Sequence, residues 1–323
     1  MLIRTAAALA MAIALLCGGA LRHAGAEDWP ARPITILAPF AAGGTVDIVA
    51  RIVGNRLARE LGQSVIVDNR GGAGGTIAAG MLVRAPHDGY TLMVTHQGLA
   101  YNASLYDKLP YNTSRDIVPV AYIGATPNVL VVTNALPVKT VGEFLVAAKA
   151  KTINYGSGGF GSAGHLSIEV LQMMAGIRME HIAYKGSGPA IIDLMSGQIQ
   201  AMLLTIPAVL PYVQAGKVRA IATSGWRRSP ALPNLPTLDE AGVKGYEYAP
   251  WYGFFAPAGT PDAVVQKLHA AMNKVLADPE IASRLGQQGL EVHAMTRNEF
   301  ATVVGNDIAK WGKIIKTLGI KAD

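Results

Sequence analysis

Cysteine is nearly absent from this chain of 323 residues, and Cys17 is the single one. One thiol closes no internal disulfide, and thiolate chemistry disappears with the N-terminal segment that carries it. Basic clusters are missing as well. Arg227-Arg228 is the longest Lys/Arg run, with no basic stripe interleaved with aromatics, which argues against a nucleic-acid surface despite a formal net charge of +6. That mild excess favours anionic solutes instead. No G-x-S-x-G is present, so a nucleophile elbow is excluded. The run Gly71-Gly72-Ala73-Gly74-Gly75-Thr76 lacks the Gly-Lys-Ser/Thr ending that a phosphate-and-magnesium loop requires. Seven histidines are scattered without metal-ligand spacing, so neither a metal nor a cofactor is expected.

No apolar run reaches the roughly 20 residues of a spanning helix. The N-terminus reads instead as a secretory leader over residues 1–26: Arg4 supplies the positive end, Thr5 to Cys17 the short apolar stretch, and Ala24-Gly25-Ala26 the cleavage signal. Leu16 puts a bulky residue before Cys17, where a lipid-anchoring signal carries a small one. The mature chain is thus expected to be exported, cysteine-free and unanchored. Its length fits two domains, and 50% hydrophobic residues supply a sizeable core.

Short apolar runs alternate with helix-period segments, the signature of an α/β protein. Strands are expected at Ile34 to Pro39, Val65 to Asn69 and Thr91 to Thr95, with helices at Val46 to Leu61 and Thr76 to Ala85 between them. The middle repeats the scheme. Strands are expected at Val129 to Thr133, Ile153 to Gly156, His181 to Tyr184, Ala201 to Leu204 and Ala220 to Thr223, with helices at Val141 to Ala150, Ala163 to Ala175 and Ser187 to Ser196. Ser229 to Pro236 reads as an exposed connector. One more strand, Trp251 to Ala256, precedes a mostly helical remainder from Asp262 to Leu318.

The most informative stretch is Pro39-Phe40-Ala41-Ala42-Gly43-Gly44-Thr45-Val46-Asp47, a Gly-Gly turn opening a helix. Unpaired first-turn N–H groups and the positive end of the helix dipole make such a turn a site for a carboxylate, although two glycines also serve a purely conformational turn. Asp47 in the first turn either complements the dipole or ties the loop amides into shape. His96 and His165 lie beside loops, as donors to a ligand or as structural imidazoles. Lys185 meets an anion or solvent, and Trp251 and Tyr252 stack on a ligand or fill the core. Gly156-Ser157-Gly158-Gly159-Phe160-Gly161 matches a dinucleotide fingerprint formally. Glu180, however, precedes the next strand instead of ending it, which argues against a nucleotide.

Taken in order, these motifs resemble the Bug-type extracytoplasmic solute receptors of tripartite tricarboxylate transport systems. The resemblance runs from Trp29-Pro30-Ala31-Arg32-Pro33-Ile34 through the Pro39 to Asp47 loop, Val67-Asp68-Asn69-Arg70-Gly71-Gly72, Asp88-Gly89-Tyr90-Thr91-Leu92 and Asn154-Tyr155-Gly156-Ser157. It continues through Tyr184-Lys185-Gly186, Ala215-Gly216-Lys217-Val218-Arg219-Ala220, Leu235-Pro236-Thr237 and Trp251-Tyr252-Gly253 to Pro257 and Pro261.

It implies a two-lobed periplasmic binding protein of the second structural type, with mixed sheets flanked by helices and the ligand between the lobes. Lobe 1 would take residues 27–128 plus 250–323, and lobe 2 residues 129–249. Such a protein is expected not to be an enzyme, with an enzyme using the same cleft as the remaining alternative. It is a monomer in the periplasm that takes a small carboxylate and delivers it to membrane permease subunits, or presents its closed form to a signalling kinase.

The implied site joins Phe40, Ala41, Gly43, Gly44, Thr45 and Asp47 to Ser157, Phe160, Gly161, Ser162 and His165 across the cleft. Asn69, Gly72, His96, Gln97, Tyr184 and Thr205 line the same cleft. Two departures from the family pattern matter. Ala41 replaces a frequent proline, and Leu204-Thr205 stand where the family often has Asp-Asn. Losing that acid removes a partner for a ligand ammonium, so an organic acid without an α-amino group is expected.

Overall fold

The computed structural model describes residues 29–184 and 186–322. The expected leader and Lys185 therefore lie outside the described residues. Among the described residues, eleven strands form two sheets. The first holds β1 (Ile34–Ala38), β2 (Val65–Asn69), β3 (Thr91–His96), β4 (Ile117–Ala125), β10 (Trp251–Pro257) and β11 (Glu291–Val292) in the order β11-β4-β10-β3-β1-β2. The second holds β5 (Asn128–Thr133), β6 (Asn154–Ser157), β7 (Glu180–Ala183), β8 (Ala201–Thr205) and β9 (Val218–Thr223) in the order β7-β6-β8-β5-β9.

Both sheets are mixed. β1 runs parallel to β2 and β3, and β10 lies antiparallel to β3 and β4. In the second sheet β6 is parallel to β7 and β8, while β5 is antiparallel to β8 and β9. The run Ile34-Thr35-Ile36-Leu37-Ala38 is almost wholly buried, as a central parallel strand covered on both faces must be.

The helices follow the expected alternation: α1 (Thr45–Leu61), α2 (Thr76–Arg84), α3 (Gly98–Leu105), α4 (Thr113–Asp116), α5 (Val141–Ala150), α6 (Ala163–Ala175), α7 (Ser187–Ser196), α8 (Ile206–Gln214), α9 (Asp262–Leu276), α10 (Pro279–Gln287) and α11 (Arg297–Leu318). Five elements were not expected: α3, α4, β4, α8 and, within the mostly helical remainder, β11. β4 carries Pro119 and Gly124, punctuation that ordinarily breaks a strand, and its pairing with β10 absorbs them through register shifts. α8 contains Pro211. α3 is buried nearly throughout and so shows no amphipathic period.

The chain passes between the sheets at Thr126 and Pro127 and returns before β10. The two passages hold each other: Thr126 N donates to Pro250 O (3.1 Å), Asn128 N to Ser224 Oγ (2.6 Å), and Tyr248 N to Ser224 O (2.8 Å). Each sheet has its own apolar core. α11 serves two of them. Its Phe300 and Val304 pack beside β10, whereas Trp311 and Ile315 join the core of the second sheet with Leu166, Tyr246 and Tyr248.

Candidate functional site

The β1–α1 loop is built around Asp47. Gly43 sits at φ +82°, a left-handed conformation that glycine adopts without strain. Its N–H then donates to Asp47 Oδ2 (2.9 Å), while Asp47 Oδ1 accepts from Asn69 Nδ2 (3.0 Å) and pairs with Arg51 (2.9 Å). Asn69 Nδ2 also reaches Phe40 O (3.1 Å). Burial opposes ionisation of Asp47, but the Arg51 guanidinium, the Gly43 N–H and the Asn69 amide together hold its carboxyl below the ordinary carboxylate value.

Asp47 and Asn69, expected to line the cleft as ligand contacts, thus spend their polar atoms on the loop itself. With Gly44 N turned to Ala41 O (3.4 Å), the donors left in front of α1 are the first-turn N–H groups of Thr45, Val46 and Asp47, because no side chain caps this helix.

Next to this loop, the β3–α3 turn places His96 against Phe40, rings stacked with centroids 4.9 Å apart. His96 Nδ1 accepts from Gly98 N (2.8 Å), which puts the imidazole proton on Nε2. Burial lowers its pKa to about 4, so the ring is a neutral donor at neutral pH. Gln97 is committed elsewhere: its Nε2 donates to Asp307 Oδ2 (2.7 Å), the oxygen that also accepts from Trp251 Nε1 (2.6 Å). Trp251 and Tyr252 are buried core residues. Gly72 lies under the Ile77 side chain at the rim of the same loop cluster.

In the second sheet the β6–α6 loop carries the opposing group. Ser162 caps α6 by accepting from His165 N (3.3 Å), and His165 Nδ1 accepts from Gly161 N (3.2 Å), again leaving Nε2 as a donor. Ser157 is fully buried. Its Oγ is exchanged with the Gly159 backbone (3.0 and 3.1 Å) and lies 2.7 Å from His181 Nε2. Phe160 stands half exposed, its ring edge-on to His165 at 5.2 Å. Tyr184 turns its hydroxyl to Asp193 Oδ2 (2.6 Å). Ser157 and Tyr184 therefore join Asp47, Asn69 and Gln97 as residues whose polar atoms are held within the protein. Glu180 opens β7 opposite Asn154, at the strand end away from the glycine loop, where it cannot hold the ribose of a nucleotide on that loop.

The two loop groups meet. Thr45 Oγ1 lies 3.5 Å from Thr205 Oγ1, joining the start of α1 to the start of α8. Neither helix has a side-chain cap, so two positive helix ends converge on one gap between the sheets. Leu105 closes another side by packing on Gly161 so tightly that a Cβ there would lie 2.3 Å from its Cδ2. Leu204 turns away from the gap into a core with Val129, Ile206 and Val209. Of the altered pair, Thr205 alone presents its side chain to the opposite loop.

Sequence reasoning missed His181. Its ring stacks on His165 at 4.2 Å, and the parallel register of β6 and β7 that brings it there is not encoded in local spacing.

Three imidazoles, two buried and His181 half-buried, have pKa values below the ordinary 6.5: His96 and His181 fall to about 4 by desolvation, and His165 to about 3 by desolvation and the neighbouring His181. A lowered folded value means that the unfolded chain takes up protons first as pH falls. Their contribution to stability is therefore complete above pH 6.5 and is lost progressively as pH falls toward 4. The melting temperature of the ligand-free protein is expected to drop across that window, with a smaller slope in His96→Gln. A melting temperature independent of pH over the window would contradict the burial of these rings.

The family profile "Tripartite tricarboxylate transporter family receptor" matches residues 49–320. The solved structure of R. palustris Rpa4515 with adipate is 37% identical, covers 91% of this chain and 99% of that one, and superposes with a TM-score of 0.86. Periplasmic binding protein BugD is 34% identical over 91% of this chain and 100% of its own, with a TM-score of 0.83. MatC (Rpa3494) from Rhodopseudomonas palustris with bound malate is 33% identical over 89% of this chain and 100% of its own, with a TM-score of 0.80.

Proposed function

The chain belongs to the tripartite tricarboxylate transporter family of receptors, and we propose that it captures a small organic carboxylate without an ammonium group in the periplasm and delivers it to the membrane permease of such a system. Its fold is the two-lobed α/β fold of the family's periplasmic binding proteins. The observation that carries the proposal is the convergence of the uncapped N-termini of α1 and α8 at Thr45 and Thr205. Two like helix poles in one gap are stabilised by an anion between them.

The donors that complete the clamp are neutral: first-turn N–H groups, the Thr45, Thr205 and Ser162 hydroxyls, and the Nε2–H groups of His96 and His165. Phe40 and Phe160 give it apolar walls. Backbone of Ala41, Gly43, Gly44, Gly72 and Gly161 brings these groups close. The adipate and malate held by the two related structures have the matching chemistry.

Exclusion of an α-amino group has two supports. Leu204 offers no charge, and the acids that border the loops are already committed, Asp47 to Arg51 and Asp193 to Tyr184. A ligand ammonium would enter without a partner, which costs several kcal/mol when buried.

The Ser157–His181 contact is a hydroxyl–imidazole pair, yet Ser157 is fully buried with its hydroxyl engaged by Gly159. That supports a receptor and not a hydrolase. In this reading residues 27–128 with 250–323 form one lobe and 129–249 the other, and closure of the lobes signals occupancy to the permease.

Isothermal titration provides the test. Non-amino dicarboxylates such as adipate or malate are expected to bind at least tenfold more tightly than aspartate or glutamate. Tight binding of the amino acids, with no binding of non-amino acids, would sink the assignment.

A further inference from the structure

Three residues of the loop that faces α1 meet on His181, a side chain with no role of its own in the clamp described above. The His181 ring is a layer one plane thick. Tyr155 stacks on it at 4.8 Å (16° between planes) and His165 at 4.2 Å (22°), while Phe160 meets it edge-on at 4.8 Å. Its Nε2 lies 2.7 Å from Ser157 Oγ. Tyr155 is tied in turn to Glu169 of α6, which also accepts from Gln172.

We propose that His181 is a positioning residue for the carboxylate clamp, locking the His165 ring and the Ser157 turn into their binding geometry. The inference rests on the reading of this loop as half of the binding site. A phenylalanine would fill the same slot and keep the stack. Histidine fills it at a cost, because Nδ1 is buried without a hydrogen-bond partner.

That cost is explained by what the other nitrogen does. Ser157 donates its proton to Gly159 O and accepts from Gly159 N, so the remaining bond runs from His181 Nε2–H to Ser157 Oγ. Nδ1 is then a bare acceptor. The bond fixes the start of the loop, and the stacked ring stops His165 from turning, so that His165 Nδ1 stays on Gly161 N and its Nε2–H stays available to a ligand. Buried polar groups left unsatisfied are found where function outweighs stability.

His181→Phe tests this in two independent measurements. Without ligand, the variant is expected to melt at the same or a higher temperature than the parent while the amide protons of Gly159 and Gly161 exchange faster. With adipate or malate, whichever the parent binds more tightly, affinity is expected to fall about tenfold, a loss of about 1.4 kcal/mol. In a Ser157→Ala background the same substitution should have a much smaller effect, since the bond is already gone.

Unchanged exchange and unchanged affinity in His181→Phe would overturn the inference, as would an undiminished effect in the Ser157→Ala background. If the parent binds neither acid, the reading of the clamp fails, and the exchange rates still decide whether His181 orders the loop.

Discussion

Gly44→Val is expected to abolish the ligand-induced rise in melting temperature while leaving the ligand-free protein folded. Gly44 lies at φ −80° and ψ 165°, extended backbone open to any residue. An added Cβ would find its nearest neighbour at 3.4 Å, the Ala41 carbonyl oxygen, which is ordinary contact. The backbone there accepts a Cβ without strain.

The proposed clamp would not tolerate valine, because its methyl groups would stand before the first turn of α1, where the free N–H groups would meet the carboxylate. A parent protein at a hundred times its Kd gains about 2.7 kcal/mol from ligand. The variant should gain nothing measurable, and its own melting temperature should stay within a few degrees of the parent. Gly43→Val is a poor substitute, since φ +82° strains any β-branched residue and would confound loss of binding with loss of the loop. An undiminished thermal shift in Gly44→Val would remove this loop from the site.

Trp311→Ala is expected to cost about 3–5 kcal/mol of stability, the range for emptying a buried aromatic site. Trp311 is 2% exposed on α11. Its ring meets Tyr101 of α3 at 5.4 Å and Tyr248 at 5.5 Å, both edge-on. Tyr248 lies on the return passage between the sheets and Tyr101 behind the His96 turn, so this aromatic joint connects the C-terminal helix, the first-sheet site and the second core.

Collapse of the joint would loosen the frame on which the loops are mounted, and urea denaturation measures the loss directly. A change below about 1 kcal/mol would show that the site relaxes easily, and that the far half of α11 is not integral to the second core.

Much of the frame was legible in the residues. The buried runs that became β1 and β3 stand out because a strand covered on both faces is built mostly of apolar residues, β2 is marked by Val65-Ile66-Val67 at the sheet edge, and the turns after all three announce themselves by glycine. β4 was hidden by Pro119 and Gly124. Its antiparallel partner β10, which accommodates them, is more than a hundred residues distant in the chain.

The candidate site was legible as a set of loops that the fold brings together and much less so as a set of free polar groups. Asn69, Gln97 and Tyr184 carry the right chemistry for a ligand, but Asp47, Asp307 and Asp193 claim it first. His181 showed nothing by itself, because its meaning depends on Ser157 and His165 lying beside it.

Sequence alone determined the α/β alternation, the glycine turn at Gly43 and Gly44 that opens α1 and the family, since these follow from short-range periodicity, turn conformation and ordered motifs. Only the tertiary structure decided which polar groups remain free for a ligand. Each hydrogen bond inside the protein withdraws a donor or acceptor from the cleft, and partners such as Asp307 or Thr205 are brought together by strand pairing and helix packing across the whole chain.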